Sequence, residues 1–90
     1  MSASLFVRHG IRDYDAWKKI YDDADTIRAT HGCTGESVLH LASDANDLLV
    51  IHDFPTVEQA EAFAGDPDLQ SAMQQAGVTG PPRVEIFESA

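Results

Sequence analysis

The feature that most constrains this chain is an internal repeat. Residues 48–60, Leu-Leu-Val-Ile-His-Asp-Phe-Pro-Thr-Val-Glu-Gln-Ala, moved back by 43 positions fall on residues 5–17, Leu-Phe-Val-Arg-His-Gly-Ile-Arg-Asp-Tyr-Asp-Ala-Trp. Leu48 lands on Leu5, Val50 on Val7, His52 on His9 and Phe54 on Ile11. Thr56 lands on Asp13 and Glu58 on Asp15, giving each copy a helix N-cap and an acid in the first turn. Identity, capping chemistry and apolar alternation agree on one offset. A strand–helix unit is used twice, with a histidine at the same place in each copy.

Residues 5–11 alternate as a strand, with Leu5, Val7, His9 and Ile11 on one side and Phe6 and Arg8 on the other. The helix behind Asp13 carries the stripe Trp17, Ile20, Ala24 and Ile27, flanked by Tyr14, Tyr21 and Arg28, and Gly32 ends it. Residues 37–42 read as a second strand, 43–47 as a hairpin turn and 48–54 as a third strand. The unbroken Leu-Leu-Val-Ile run suits a central strand buried on both faces. Pro55 stops it. Thr56 caps the second helix, with Gln59 completing a capping box. Gly65-Asp66-Pro67 breaks that helix, and the break reads as a hinge over a cavity mouth lined by Phe63 and Leu69. The helix resumes to Gly77. Gly80-Pro81-Pro82 reads as an extended connector, and residues 84–88 as the last strand.

The order β-α-β-β-α-β defines an α+β, ferredoxin-like domain over residues 1–90: an antiparallel four-stranded sheet with two helices on one face. Right-handed crossovers are read as placing the first and third strands side by side and parallel. The other face would carry Phe6, Leu49 and Ile51 with no cover from the chain, which marks an interface. Arg8 and Asp53 would share that face as an ion pair. A chain of 90 residues buries a modest share of its surface, so a partner subunit is expected to supply stability.

The net charge is −9, from six basic and fifteen acidic residues, which argues against nucleic acid and anionic membranes as partners. A lone cysteine, Cys33, excludes an internal disulfide and a cysteine-rich zinc site. The N-terminus does not read as a signal peptide, and no apolar run reaches membrane-spanning length. These features describe a soluble, acidic, cytoplasmic protein.

The chain resembles the dimeric α/β-barrel superfamily of antibiotic-biosynthesis-monooxygenase-like proteins. The resemblance rests on Val7-Arg8-His9 leading to Asp13-Tyr14-Asp15-Ala16-Trp17, then Gly32-Cys33-Thr34-Gly35. It continues through Phe54, Asp66-Pro67-Asp68-Leu69 with Ala72-Met73, Ala76-Gly77-Val78 and Ile86-Phe87-Glu88. It implies a homodimer whose two sheets face each other as a barrel, with a cavity in each subunit between the sheet and its own helices. Haem-degrading members of that superfamily carry an iron-binding histidine on the second helix, whereas no histidine follows Phe54 here. Plant-type polyketide cyclases of the same fold carry a catalytic histidine where this chain has Leu69. Neither role carries over.

His9 and His52 share a face with Val7 and Val50, and on neighbouring strands about 4.8 Å apart they are expected nearly to touch. Close imidazoles resist double protonation, and a neutral one can act as a general base. The catalytic candidates are therefore His9 and His52, with Tyr21 orienting the substrate. Val7, Trp17, Val50, Phe54, Phe63, Leu69 and Met73 are the candidate ligand-binding residues, an aromatic lining suited to a flat apolar molecule. His31 reads as a cation at a helix C-terminus. His40 joins the other two histidines or opposes them according to the hairpin register, and if it joins them a three-histidine metal site becomes conceivable. The reading favoured is a cofactor-free monooxygenase or cyclase acting on a small aromatic or polyketide-like compound, without metal. The alternatives are a non-enzymatic, stress-associated or ligand-binding dimer with structural histidines, and metal or haem binding through His9 and His52.

Overall fold

The computed structural model describes residues 2–90, with eight elements: β1 (Ala3–Ile11), α1 (Tyr14–Asp23), α2 (Asp25–Thr30), β2 (Gly35–Leu41), β3 (Asp44–Phe54), α3 (Val57–Ala64), α4 (Pro67–Gln75) and β4 (Val78–Glu88). The two copies of the repeat start their helices by the same chemistry. Asp13 Oδ2 accepts the Ala16 N–H at 3.0 Å, and Thr56 Oγ1 accepts the Gln59 N–H at 3.2 Å. Gly32 and Gly77, at φ +79° and +80°, turn the chain out of α2 and α4 in a conformation that side chains disfavour.

The sheet order is β2-β3-β1-β4, and every neighbouring pair is antiparallel. The parallel pairing expected for the first and third strands is thus corrected. A helical crossover carries β1 to β2, and these two strands run the same way. β3 returns from β2 through a tight hairpin and slots between them, so it runs against both. Val7 pairs with Val50. These two are also equivalents under the 43-residue offset, so a pseudo-two-fold axis passes between them. Their helix-side neighbours are sent to opposite ends: Leu5 faces His52, and His9 faces Leu48.

One face of the sheet is buried under the helices, with Leu5, Val7, Leu48, Val50 and Phe54 joined by Trp17, Ala60 and Phe63 from above. The other face carries Phe6, Leu49 and Ile51, half-buried, with Leu39 and Phe87 exposed beside them. Arg8 pairs there with Asp47 at 2.8 Å rather than with Asp53, which instead accepts a 2.6 Å bond from Ser4 Oγ. The antiparallel register accounts for the change, since it sets Asp53 opposite Ser4.

Further boundaries differ from the sequence reading: β3 begins at Asp44, so residues 44–47, expected in the hairpin turn, lie in the strand. The first helix divides at Ala24, where the Arg28 guanidinium donates to the Tyr21 carbonyl at 2.8 Å and the Ala24 N–H bonds back to both Ile20 and Tyr21. β4 begins at Val78 and takes Gly80-Pro81-Pro82 into the strand. It lies at a sheet edge, and its pairing with β1 skips residues 80–82 at a register shift, so neither missing N–H breaks a ladder bond. Among the described residues no helix is long and apolar enough to cross a membrane.

Leu5 and Leu48 occupy equivalent places about the pseudo-axis, and both are fully buried. Leu5→Ala and Leu48→Ala are each expected to lower the unfolding free energy by about 3 kcal/mol and to match within about 1 kcal/mol, as measured by urea titration. A large loss at one leucine and none at the other would contradict equivalent packing.

Candidate active site

The helix-facing histidines do not meet. Four residues of strand separate their positions in the β1–β3 register, roughly 13 Å along the sheet. The expected imidazole contact is therefore replaced by a ladder of rings. His9 lies 6.0 Å from Trp17, Trp17 stacks on Tyr21 at 4.8 Å, and Tyr21 stacks on His52 at 5.9 Å and 10°. Trp17 and Tyr21 are four apart on α1, one helical turn, so the helix lays them side by side along the gap between the histidines.

Beneath the helices this ladder borders a partly open cavity of about 60 Å³. His9, Trp17, Tyr21 and His52 line it with Val7, Val50 and Phe63, and α4 closes it with Leu69 and Met73. Phe54, the remaining candidate, lies outside the lining. It is fully buried in the core and backs Phe63 at 5.3 Å. Arg28 also lines the cavity, only 6% exposed, with its guanidinium carbon 4.2 Å from the Tyr21 ring centroid. Sequence reading set Arg28 beside the apolar stripe without assigning it to the site. The signal available was its place seven residues after Tyr21, two turns along the same helical face.

The polar groups form a chain. Tyr21 Oη lies 2.5 Å from Glu36 Oε2 and 2.9 Å from His52 Nε2. Arg28 Nε stands 3.2 Å from the same Glu36 oxygen, and a second guanidinium nitrogen lies 3.6 Å from Asp25. Glu36 reaches the site because β2 sets it directly opposite His52. A carboxylate in an ion pair can only accept, so Tyr21 donates its one hydrogen to Glu36, and His52 must then donate Nε2–H to the Tyr21 oxygen. Nδ1 of His52 is left a bare, buried lone pair with no partner in the protein. Both ring nitrogens of His9 are also buried and unpartnered.

Electrostatics keep these groups uncharged. Burial, and then the nearby Arg28 charge, push the His52 pKa from 6.5 down to about 4. Burial likewise lowers that of His9. Burial, followed by the bond to Glu36, raises that of Tyr21 and holds the phenol protonated. Two neutral imidazoles and a phenol thus stand with Arg28 around a mainly apolar space, and the imidazoles offer unprotonated nitrogens there.

The other histidines stand apart. His40 shares the helix-side face with Leu48 but is exposed on the edge strand, its ring bonded to the Leu41 carbonyl at 2.8 Å. His31 caps the end of α2 and bonds Asp66, the N-cap of α4, at 2.7 Å. Among the described residues no group of three histidine, cysteine, aspartate or glutamate side chains is placed to hold a metal ion.

No protein-family model matches the chain, and no curated protein matches it in sequence. Solved structures do match in fold. SnoaB of Streptomyces nogalater, a cofactor-independent oxygenase, superposes with a TM-score of 0.78 at 11% identity, over 99% of this chain and 93% of that one. A putative antibiotic biosynthesis monooxygenase from Bordetella bronchiseptica gives 0.80 at 14% identity, over 99% and 97%. A protein of the same description from Caulobacter crescentus gives 0.78 at 13%, over 99% and 90%. The neighbours are thus the monooxygenase-like proteins that the sequence resembles, and the likeness at these identities is one of fold.

Neutral burial of His52 sets a sign for the pH dependence of stability. The folded pKa lies below the unfolded one, so this contribution is fully present above pH 6.5 and is lost as pH falls towards 4. The loss is about 3 kcal/mol, and His52→Phe, which cannot ionise, is expected to flatten the curve by that amount. Urea titrations at pH 7.5, 5.5 and 4.0 measure it. An equally steep fall in the variant would assign the slope to other groups.

Proposed function

We propose that this protein is a homodimeric, cytoplasmic small-molecule-binding protein whose cavity takes an aromatic or polyketide-like compound and monooxygenates or cyclises it without a cofactor. The observation that carries the reading is the unpartnered Nδ1 of His52, a neutral imidazole in the wall of a mainly apolar cavity that Arg28 and His9 also line. An acidic C–H or O–H presented there gives up its proton to Nδ1. The anion that remains, spread over the rings, donates an electron to dissolved oxygen in the oxygenase case or attacks a carbonyl of its own chain in the cyclase case. His9, with both nitrogens free at the far end of the ladder, hydrogen-bonds the ligand's distal oxygen. The fold shared with SnoaB, a cofactor-independent oxygenase, supports the same chemistry.

A space of about 60 Å³ is small beside the ~300–1,000 Å³ of pockets that hold drug-sized ligands, so α4 must swing to admit one. Gly65 and Asp66 precede α4, and no residue of α4 is fully buried. Oxygen-electrode and product assays with simple phenols and anthrones test the reading. Wild-type turnover lost by at least 100-fold in His52→Ala is expected. Binding without turnover, or turnover indifferent to His52, would reject the enzyme in favour of a ligand-binding dimer.

The homodimer rests on the uncovered sheet face. Phe6, Leu39, Leu49, Ile51 and Phe87 form an apolar surface, and a second copy related by a two-fold axis would cover it. At about 25 cal/mol per Å², covering several hundred Å² per subunit contributes on the order of 10 kcal/mol before association costs. That is comparable to the whole stability of a small domain. Ile51→Asp is therefore expected to give an unfolded or aggregated chain, whereas the wild type runs as a dimer in light scattering at micromolar concentration. A folded wild-type monomer would refute the dimer.

A further inference from the structure

We propose that Tyr21 and Glu36 form a proton relay that connects His52, at the cavity wall, to solvent. The inference rests on the reading of His52 as a base. It adds the route by which the proton leaves and the class of ligand that the route serves, a molecule acidified by rings or carbonyls.

The geometry is a line of three groups. At its inner end is the unpartnered Nδ1 of a His52 that is 4% exposed. Nε2 follows, 2.9 Å from Tyr21 Oη, which lies 2.5 Å from Glu36 Oε2. At its outer end the Glu36 side chain, 44% exposed, meets water on the edge strand. Arg28 Nε, 3.2 Å from that same oxygen, holds the carboxylate on the line. Each link already carries its hydrogen in the direction required: Nε2–H points to Tyr21, and the Tyr21 hydroxyl points to Glu36.

Transfer along the line conserves every proton. The ligand's C–H or O–H bond breaks and an Nδ1–H bond forms. Nε2 releases its hydrogen to the Tyr21 oxygen, Tyr21 releases its own to Glu36, and Glu36 passes one to water. The ligand is left as an anion, with no change of oxidation state in the protein. The concerted path matters because the alternative is an imidazolium buried beside the Arg28 charge, the situation that already disfavours His52 protonation. With the relay, His52 changes tautomer and never becomes a cation.

The wiring predicts tautomers, which long-range ¹⁵N–¹H correlation spectra of labelled protein read directly, with His52 assigned by the signals missing in His52→Gln. The wild type at pH 7.5 is expected to hold His52 as the Nε2–H form. In Glu36→Ala the Tyr21 hydroxyl loses its acceptor and turns to Nε2, so His52 converts to the Nδ1–H form. Glu36→Gln keeps an accepting oxygen for Tyr21 but cannot take up a proton. It should retain the Nε2–H form while kcat on an anthrone falls about 100-fold with KM little changed. A wild-type Nδ1–H form, an unchanged tautomer in Glu36→Ala, or a wild-type kcat in Glu36→Gln would each overturn the relay. The spectra need no turnover. A protein that never converts phenols or anthrones therefore sinks the oxygenase and cyclase reading, while the tautomers still decide the wiring.

Discussion

The antiparallel pairing of β1 with β3 is centred on Val7 and Val50, residues that the repeat makes equivalent, and the site follows from that placement. A ladder through equivalent residues generates a two-fold axis at the pair. Each residue two positions along one strand then lies opposite the residue two positions back on the other. His9 faces Leu48 and His52 faces Leu5, so leucine fills the space beside each imidazole. Had the strands run parallel in equivalent register, the histidines would have been neighbours. Antiparallel, they stand at opposite ends of one sheet face, and the helix above must bridge them. Trp17 and Tyr21 do so with two stacked rings.

The charged groups of the site are paired, while the imidazoles are neutral and keep buried nitrogens without a partner. Arg28 is the one buried cation of the site. Its stacking on Tyr21, worth about 1–2 kcal/mol when desolvated, combines with the bond to the Tyr21 carbonyl and the contact with Glu36. Glu36 is partly in water, so its pairing with Arg28 is screened and contributes towards the lower end of the range for ion pairs. Packing and the carbonyl bond hold Arg28 at least as firmly as its countercharge. Glu36 is therefore free to serve Tyr21. A second positive charge at His52 would lack such support, which is why that ring stays neutral.

The repeat, the caps and the apolar alternation were legible because they depend on residues a few positions apart. Asp13 and Thr56 each take the bond that their spacing implied. So was most of the cavity wall, since residues three and four apart on a helix, or two apart on a strand, share a face. What failed was whatever depended on the direction of a distant strand. The histidine contact and the Arg8–Asp53 pair were both drawn from a parallel pairing. The division at Ala24 was hidden for a different reason. It goes with a side chain four residues later bonding a backbone carbonyl, and no glycine or proline announces it. Glu36 stayed out of the site because its strand is joined to β3 by a hairpin whose register the local sequence leaves open.

The pseudo-symmetry also explains why the two histidines differ. The 43-residue offset places Ala60 on Trp17 and Ala64 on Tyr21, so the second copy has neither the indole nor the phenol. His52 has a hydroxyl partner from α1, whereas the position equivalent to Tyr21 in the other copy is an alanine, which has no hydroxyl to offer His9. An imidazole with one nitrogen bonded has a fixed tautomer and presents a defined lone pair at the other. An imidazole with neither nitrogen bonded has no fixed tautomer, and it can donate to a ligand or accept from one as the ligand requires. The two copies of one strand–helix unit have thus become unlike in chemistry while remaining alike in backbone. In the reaction proposed for this site, His52 is the end that accepts the proton and His9 the end that adapts to the ligand's far polar group.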